Sequence, residues 1–184
     1  MSKDRREAWP LETALRVRDL IGERHGIAVA PGLGCGLRQG EVFGVGPEDI
    51  DWARGVLHVR KQVQALGGKY ALPKGGKTAV WTCPPQWLPE LGQHIERFPP
   101  VEVELPWRGP GEDAARKKFP LLLTSRYGDV VAVNAWNSYG WKPALAKAGV
   151  IPPQAEGAKP RQWAAAPKDV CRSTVRRAYS LGKC

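Results

Sequence analysis

The sequence predicts an α+β fold, mostly helical, with a small three-stranded antiparallel sheet. Three observations point there. Residues 10–24 and 133–149 carry apolar side chains at helical spacing, and residues 84–98 form a third such stretch between two proline pairs. Residues 55–64, G-V-L-H-V-R-K-Q-V-Q, alternate apolar and polar side chains, the period of a half-buried strand. Two glycine pairs, Gly67-Gly68 and Gly75-Gly76, then cut the following stretch into short extended pieces.

Each element has a local reason. Trp9-Pro10 opens the first helix, since proline lacks only an N–H that a first turn leaves unpaired. Leu11, Ala14, Leu15 and Ile21 fall near one of its faces, with Arg16, Arg18 and Glu23 largely off it. The apolar stretch I-A-V-A at 27–30 fits a short helix or a strand. Asp51-Trp52-Ala53-Arg54-Gly55 supplies a turn ahead of the alternating segment. K-Y-A-L-P-K at 69–74 and K-T-A-V-W-T-C at 77–83 continue as extended pieces. Pro84-Pro85 opens the next helix and Pro99-Pro100 ends it. A polar loop with Trp107 and a basic run, Arg116 to Lys118, follows. Leu121, Leu122, Leu123 and Thr124 read as a short buried extended piece. The helix at 133–149 contains Pro143, where a kink is expected. Beyond Ile151 the pattern weakens into loop.

The 184 residues suffice for one ordinary domain, and 42% are apolar, which argues for a packed chain. The formal charge is +10 and is uneven: residues 159–184 hold seven Lys or Arg against one Asp. A basic chain fits a polyanionic partner, foremost nucleic acid, through counterion release. A solvated basic tail is the plainer reading of the same residues. Cys35, Cys83, Cys171 and Cys184 form no C-x-x-C pair and the three histidines are not near them, so neither a zinc site nor a disulfide framework is expected. No metal or small-molecule cofactor is called for. The start, M-S-K-D-R-R-E, has no apolar core of a secretion signal, and no apolar run is long enough to span a bilayer, so a cytoplasmic protein is expected.

The stretch most dense in chemistry is P-G-L-G-C-G-L-R-Q-G-E at 31–41. A dinucleotide fingerprint needs G-x-G-x-x-G, and from Gly34 and Gly36 the third glycine would fall on Gln39; from Gly32 it would fall on Leu37. A Walker loop needs G-K followed by Ser or Thr, and Leu37-Arg38 is not that. The other reading takes the glycines as a frame for Arg38. A guanidinium offers a planar fork to phosphate oxygens, and Glu41, three residues on, can lock it or cap a helix.

G-L-R-Q-G-E-V-F-G-V resembles the first catalytic box of the tyrosine recombinases, the phage-integrase family. The likeness continues in that family's order through the W-P helix opening, D-I-D-W-A-R-G-V-L-H-V-R, P-K-G-G-K-T and W-K-P-A-L-A-K-A-G, over residues 9–153. It implies a catalytic-domain fold, double-stranded DNA as partner, other recombinase protomers beside it, and chemistry without metal or nucleotide. It implies that Arg38 binds the scissile phosphate, that Glu41 supports it, and that Lys74 protonates the leaving 5′ oxygen. Lys77 is the alternative lysine, because a two-glycine turn leaves the register open. A solvated hairpin lysine is the plainer reading of either.

The family's second box, H-x-x-R, should follow the W-K-P-A-L helix, and then a tyrosine nucleophile. No histidine occurs after His94. His94-Ile95-Glu96-Arg97 matches H-x-x-R literally but precedes that helix, and a surface i,i+3 pair explains it. Tyr179 is the candidate nucleophile that remains, six residues from the end, with a phenol pKa of about 10 and no preceding box to activate it. Pro31 also departs from the continuous helix that the family places ahead of its arginine. These departures lead to the expectation of a partial catalytic domain over 1–153 and a basic tail over 154–184, disordered or out of frame from near Lys168-Asp169: a truncated integrase, inactive alone. The competing expectations are an active recombinase that uses Tyr179 or a tyrosine donated in trans, and a non-catalytic basic module for nucleic acid or protein.

Overall fold

The computed structural model describes residues 10–64, 68–108, 115–159 and 161–163. The chain divides into two compact units, Met1–Leu37 with Ala135–Cys184, and Arg38–Asn134.

The first unit is helical. Helix α1 (Leu11–Ile21) stops where Gly22 adopts φ +96°, and α2 (Glu23–Gly26) follows at once. The buried face of α1 is Ala14 and Val17, with Ile21 packed beside them, while Leu11 stays 50% exposed. The short apolar stretch before Pro31 is helical: α3 (Val29–Gly34) takes Pro31 into its first turn, where a missing N–H is harmless. Helix α6 (Val133–Ala135) runs through a π-helical segment (Trp136–Trp141) into α7 (Lys142–Lys147), with Pro143 in the first turn of α7. The wider π turn brings residues five apart onto one side, and Trp136 and Trp141 stack at 6.5 Å with their planes 17° apart. The core joins Val17 of α1 to Ala144, Leu145 and Ile151, with Trp141 and Trp163 against it. Past Pro153 the chain continues in tight turns. Gln154 donates through Nε2 to the carbonyls of Lys159 (2.6 Å) and Gln162 (2.9 Å), ahead of Trp163.

The second unit holds both sheets. The three-stranded antiparallel sheet has the order β1 (Ile50–Asp51), β2 (Val56–Val59), β5 (Ala79–Thr82). Its membership differs from the local reading of residues 55–83. Residues 55–64 do not form one strand: β2 ends at Val59 and β3 (Gln62–Gln64) starts a second sheet with β4 (Lys69–Ala71), β6 (Val101–Arg108) and β7 (Arg116–Leu121). The alternation itself survives the break, since Leu57, Val59, Lys61 and Val63 are all buried. The stretch read as a polar loop around Trp107 is the β6–β7 hairpin. Its strand carries Val101, Val103, Leu105 and Trp107 at a period of two, and Val103 is buried.

Strand β4 pairs with β6 in parallel, Tyr70 opposite Trp107. Tyr70 fastens the joint: its hydroxyl donates to the Val103 carbonyl at 2.9 Å and its ring meets Phe119 edge-on at 5.0 Å. Burial, with the Glu48 charge nearby, pushes the Tyr70 phenol up to about 12. Helix α5 (Trp87–Arg97) buries Trp87, Leu91 and His94.

Candidate functional site

Arg38 is the N-cap residue of helix α4 (Gln39–Phe43), with φ −75° and ψ 154°. Glu41 sits at the third helical position and grips Arg38 twice. Its Oε2 accepts the Arg38 backbone N–H at 2.8 Å, and its Oε1 accepts from the guanidinium at 3.0 Å. The reciprocal half of a capping box cannot form, because a guanidinium has no acceptor. The Glu41 side chain is 9% exposed and that of Arg38 is 38% exposed. One anchored carboxylate therefore fixes both the backbone and the side chain of an arginine whose head remains open to solvent. Only one of its five N–H donors is engaged among the described residues.

The glycines of the motif act on the backbone. Gly36 has φ +63° and turns the chain ahead of Arg38. Gly40 and Gly44, four residues apart, lie on the face of α4 that meets β3. A Cβ at Gly40 would come within 2.6 Å of the Val63 carbonyl oxygen, and one at Gly44 within 2.9 Å of that of Lys61. The absence of side chains there lets the helix lie directly on the strand.

Lys74 and Lys77 are exposed and have no partner among the described residues. They flank a turn in which Gly76 N–H bonds the Pro73 carbonyl at 2.9 Å and Gly75 has φ +98°. A positive φ at the third turn position matches a type II turn, with Lys74 at its corner. The turn is tied back to β3: Gln62 donates through Nε2 to the Leu72 carbonyl at 2.7 Å. The second unit thus attaches the Arg38 helix and the Lys74 turn to the same short strand.

His94 is not a surface residue. It is buried on α5, with Nε2 3.1 Å from the Leu122 carbonyl, and Arg97 lies over the Phe98 ring. Its burial follows from helical spacing with Trp87 and Leu91, which places it on the apolar face. Tyr179, and the tail from residue 164 onward, lie outside the described residues. Among the described residues no three His, Cys, Asp or Glu side chains gather as a metal ion would need, and no helix is long and apolar enough to cross a membrane.

Sequence reading missed a second cation. Lys61 is buried, with Nζ 2.6 Å from Asp49 Oδ2 and 2.9 Å from Glu48 Oε1, and 4.7 Å above the Phe119 ring. The signal was available: Lys61 falls on the inward register of Leu57, Val59 and Val63, with Pro47-Glu48-Asp49 upstream to receive it. The basic run of β7 is also largely engaged within the hairpin. Arg116 and Lys118 pair with Glu104, whose carboxyl is held below the usual range by the Arg116 hydrogen bond first and by both charges, and Lys117 lies over Trp107.

No known family profile and no curated protein matches the chain. Solved structures do. The Tn1549 transposon integrase in complex with transposon right-end DNA superposes with a TM-score of 0.59 at 16% identity, over 88% of this chain and 52% of that one. The same integrase bound to a circular intermediate DNA gives 0.58 at 15% identity, over 87% and 52%. XerA recombinase gives 0.51 at 15% identity, over 82% and 45%. The chain spans about half the length of the structures it matches. At this level of identity the likeness concerns architecture, and the architecture is an α+β fold like that of the tyrosine recombinase catalytic domain.

Proposed function

We propose that this chain is a DNA-binding protein of site-specific recombination that presents the charge-stabilising half of a tyrosine recombinase site. The observation that carries the reading is the grip of Glu41 on Arg38, which leaves a preorganised guanidinium open at the start of α4. In strand transfer the non-bridging oxygens of the phosphodiester gain charge, and a fixed arginine fork answers that charge at little cost in side-chain ordering. Arg38 is assigned to the phosphate, Glu41 to its support, and Lys74 to the leaving 5′ oxygen, with Lys77 as the alternative. The fold likeness to integrase structures in complex with DNA supports duplex DNA as the partner. Recombinase protomers are further partners in this reading.

The sequence after the W-K-P-A-L helix holds no H-x-x-R, so the box that would supply a histidine and a second arginine to activate a tyrosine is missing from it. The chain is accordingly assigned DNA binding without autonomous strand cleavage. Two measurements test this. Arg38→Ala is expected to weaken duplex binding and to lower the slope of log affinity against log salt by about 0.9, the share of one phosphate contact. An unchanged slope would shift the assignment to a basic module that uses other residues. A nicked suicide substrate is expected to yield no covalent protein–DNA adduct. An adduct that disappears in Tyr179→Phe would establish the active-recombinase alternative, and one formed only with an intact recombinase present would establish donation in trans.

A further inference from the structure

The two cationic elements of the proposed site are not neighbours in sequence, so something must hold their spacing. We infer that Gln62 is the positioning residue that sets the Lys74 turn relative to the Arg38 helix; the inference rests on the assignment of Arg38 and Lys74 to a DNA backbone.

Gln62 is the first residue of β3, opposite Ala71 of β4. Its side chain reaches both elements at once. The amide nitrogen donates to the Leu72 carbonyl at 2.7 Å, two residues before Lys74. The amide oxygen lies against Gly40, 3.4 Å from where a Cβ would stand, two residues after Arg38. The strand pairing with β4 stops at Ala71, so the Leu72 carbonyl lies past the last ladder pair. The side-chain bond extends the fixed region by one residue toward the turn. Pro73 then restricts φ, and the Gly76-to-Pro73 bond closes the corner on which Lys74 stands. Gly40 carries the same logic from the other side, because any side chain there would push α4 away from Gln62 and Val63. An amide suits this post better than a charged group: Gln62 is half-buried, bonds the Leu72 backbone, lies beside Gly40, and adds no charge beside a phosphate.

The role predicts coupling, not only loss. In the DNA-binding titration with a duplex of arbitrary sequence, Gln62→Leu is expected to weaken affinity about threefold to tenfold, the effect of one neutral hydrogen bond on the placement it maintains. In a Lys74→Ala background the same substitution is expected to change affinity less than twofold, since the side chain it positions is gone. Amide exchange at Gly76 is expected to accelerate in Gln62→Leu and to remain unchanged at the amides of α5, which separates a local release from general destabilisation. Should the leucine variant fold poorly, Gln62→Met keeps the length without the amide and is read in the same three ways. Additive losses in Gln62→Leu and Lys74→Ala, or an unaltered Gly76 exchange, would overturn the positioning role while leaving the phosphate assignment in place. If Lys74→Ala itself leaves affinity and salt slope unaltered, the lysine assignment falls and the positioning role falls with it.

Discussion

Two cation–carboxylate pairs of the second unit have opposite characters. Lys61 and Asp49 are 4% and 2% exposed, and the ammonium is surrounded by Asp49, Glu48 and the Phe119 face. Arg38 and Glu41 are 38% and 9% exposed, and the carboxylate alone is buried. In the first pair both partners are buried, and the lysine ties the Pro47–Asp49 turn to the junction of β2 and β3 and to β7. In the second the carboxylate is consumed and the cation is only aimed. The comparison teaches that charge alone does not identify a binding residue. Of Lys61 and Arg38, the one with its acid buried and its own donors exposed is the one available to a ligand.

The sharpest way to break the comparison is to remove the acid of the sealed pair. Asp49→Ala leaves the Lys61 ammonium buried with Glu48 as its remaining oxygen partner, and is expected to cost about 3–5 kcal/mol of unfolding free energy. Urea denaturation measures it. A loss under about 1 kcal/mol would mean that Glu48, 37% exposed, satisfies the lysine unaided, and the pair would not differ in kind from Arg38–Glu41.

A smaller effect is expected on the open pair. Glu41→Ala removes both the cap of α4 and the guanidinium partner, at a cost of about 1–2 kcal/mol. Glu41→Gln still accepts from the Arg38 backbone N–H, so it should recover most of that loss in a thermal melt, because a half-exposed ion pair contributes little on its own. If the glutamine variant melts like the alanine one, the ion pair carries the helix start, and the two sites resemble one another more than their burial suggests.

What sequence could reveal follows the same division between local and distant causes. Arg38, Glu41 and the Lys74 turn were legible because each is a local device: a residue three positions from its cap, and a corner marked by two glycines. The second sheet was not. Its parallel pairing joins Tyr70 to Trp107, 37 residues apart, and nothing within either segment specifies the other. Within β6 the period-two pattern was present in Val101, Val103, Leu105 and Trp107, but Pro106 and the flanking prolines pointed to loop. Pro106 stands at the last ladder pair with β7, opposite Arg116. Lys61 escaped notice because lysine at an inward strand position is read as a break in the pattern until its acids are known to lie behind it. Gly40 was legible as part of a glycine-rich frame, but the strand it packs against was not. It and Gly44 let that strand approach the helix backbone closely.

The smallest effect on the fold decides the most about the open site. Lys74 and Lys77 are both exposed, so substituting either by alanine should shift stability by no more than about 0.5 kcal/mol. Their difference lies in attachment. Lys74 stands at the corner of a turn closed by the Pro73–Gly76 bond and follows the segment held by Gln62. Lys77 follows two glycines with φ +98° and +70°, a stretch with no side chain to hold it and open space around both positions. A held cation forgoes less conformational entropy when a phosphate takes it, so Lys74→Ala should weaken duplex binding more than Lys77→Ala at equal salt. The salt slope should fall by about 0.9 for whichever lysine makes the contact. Equal slopes but a larger affinity loss for Lys77→Ala would place the contact beyond the glycines, and the rigidity of the corner would then serve the turn and not the DNA.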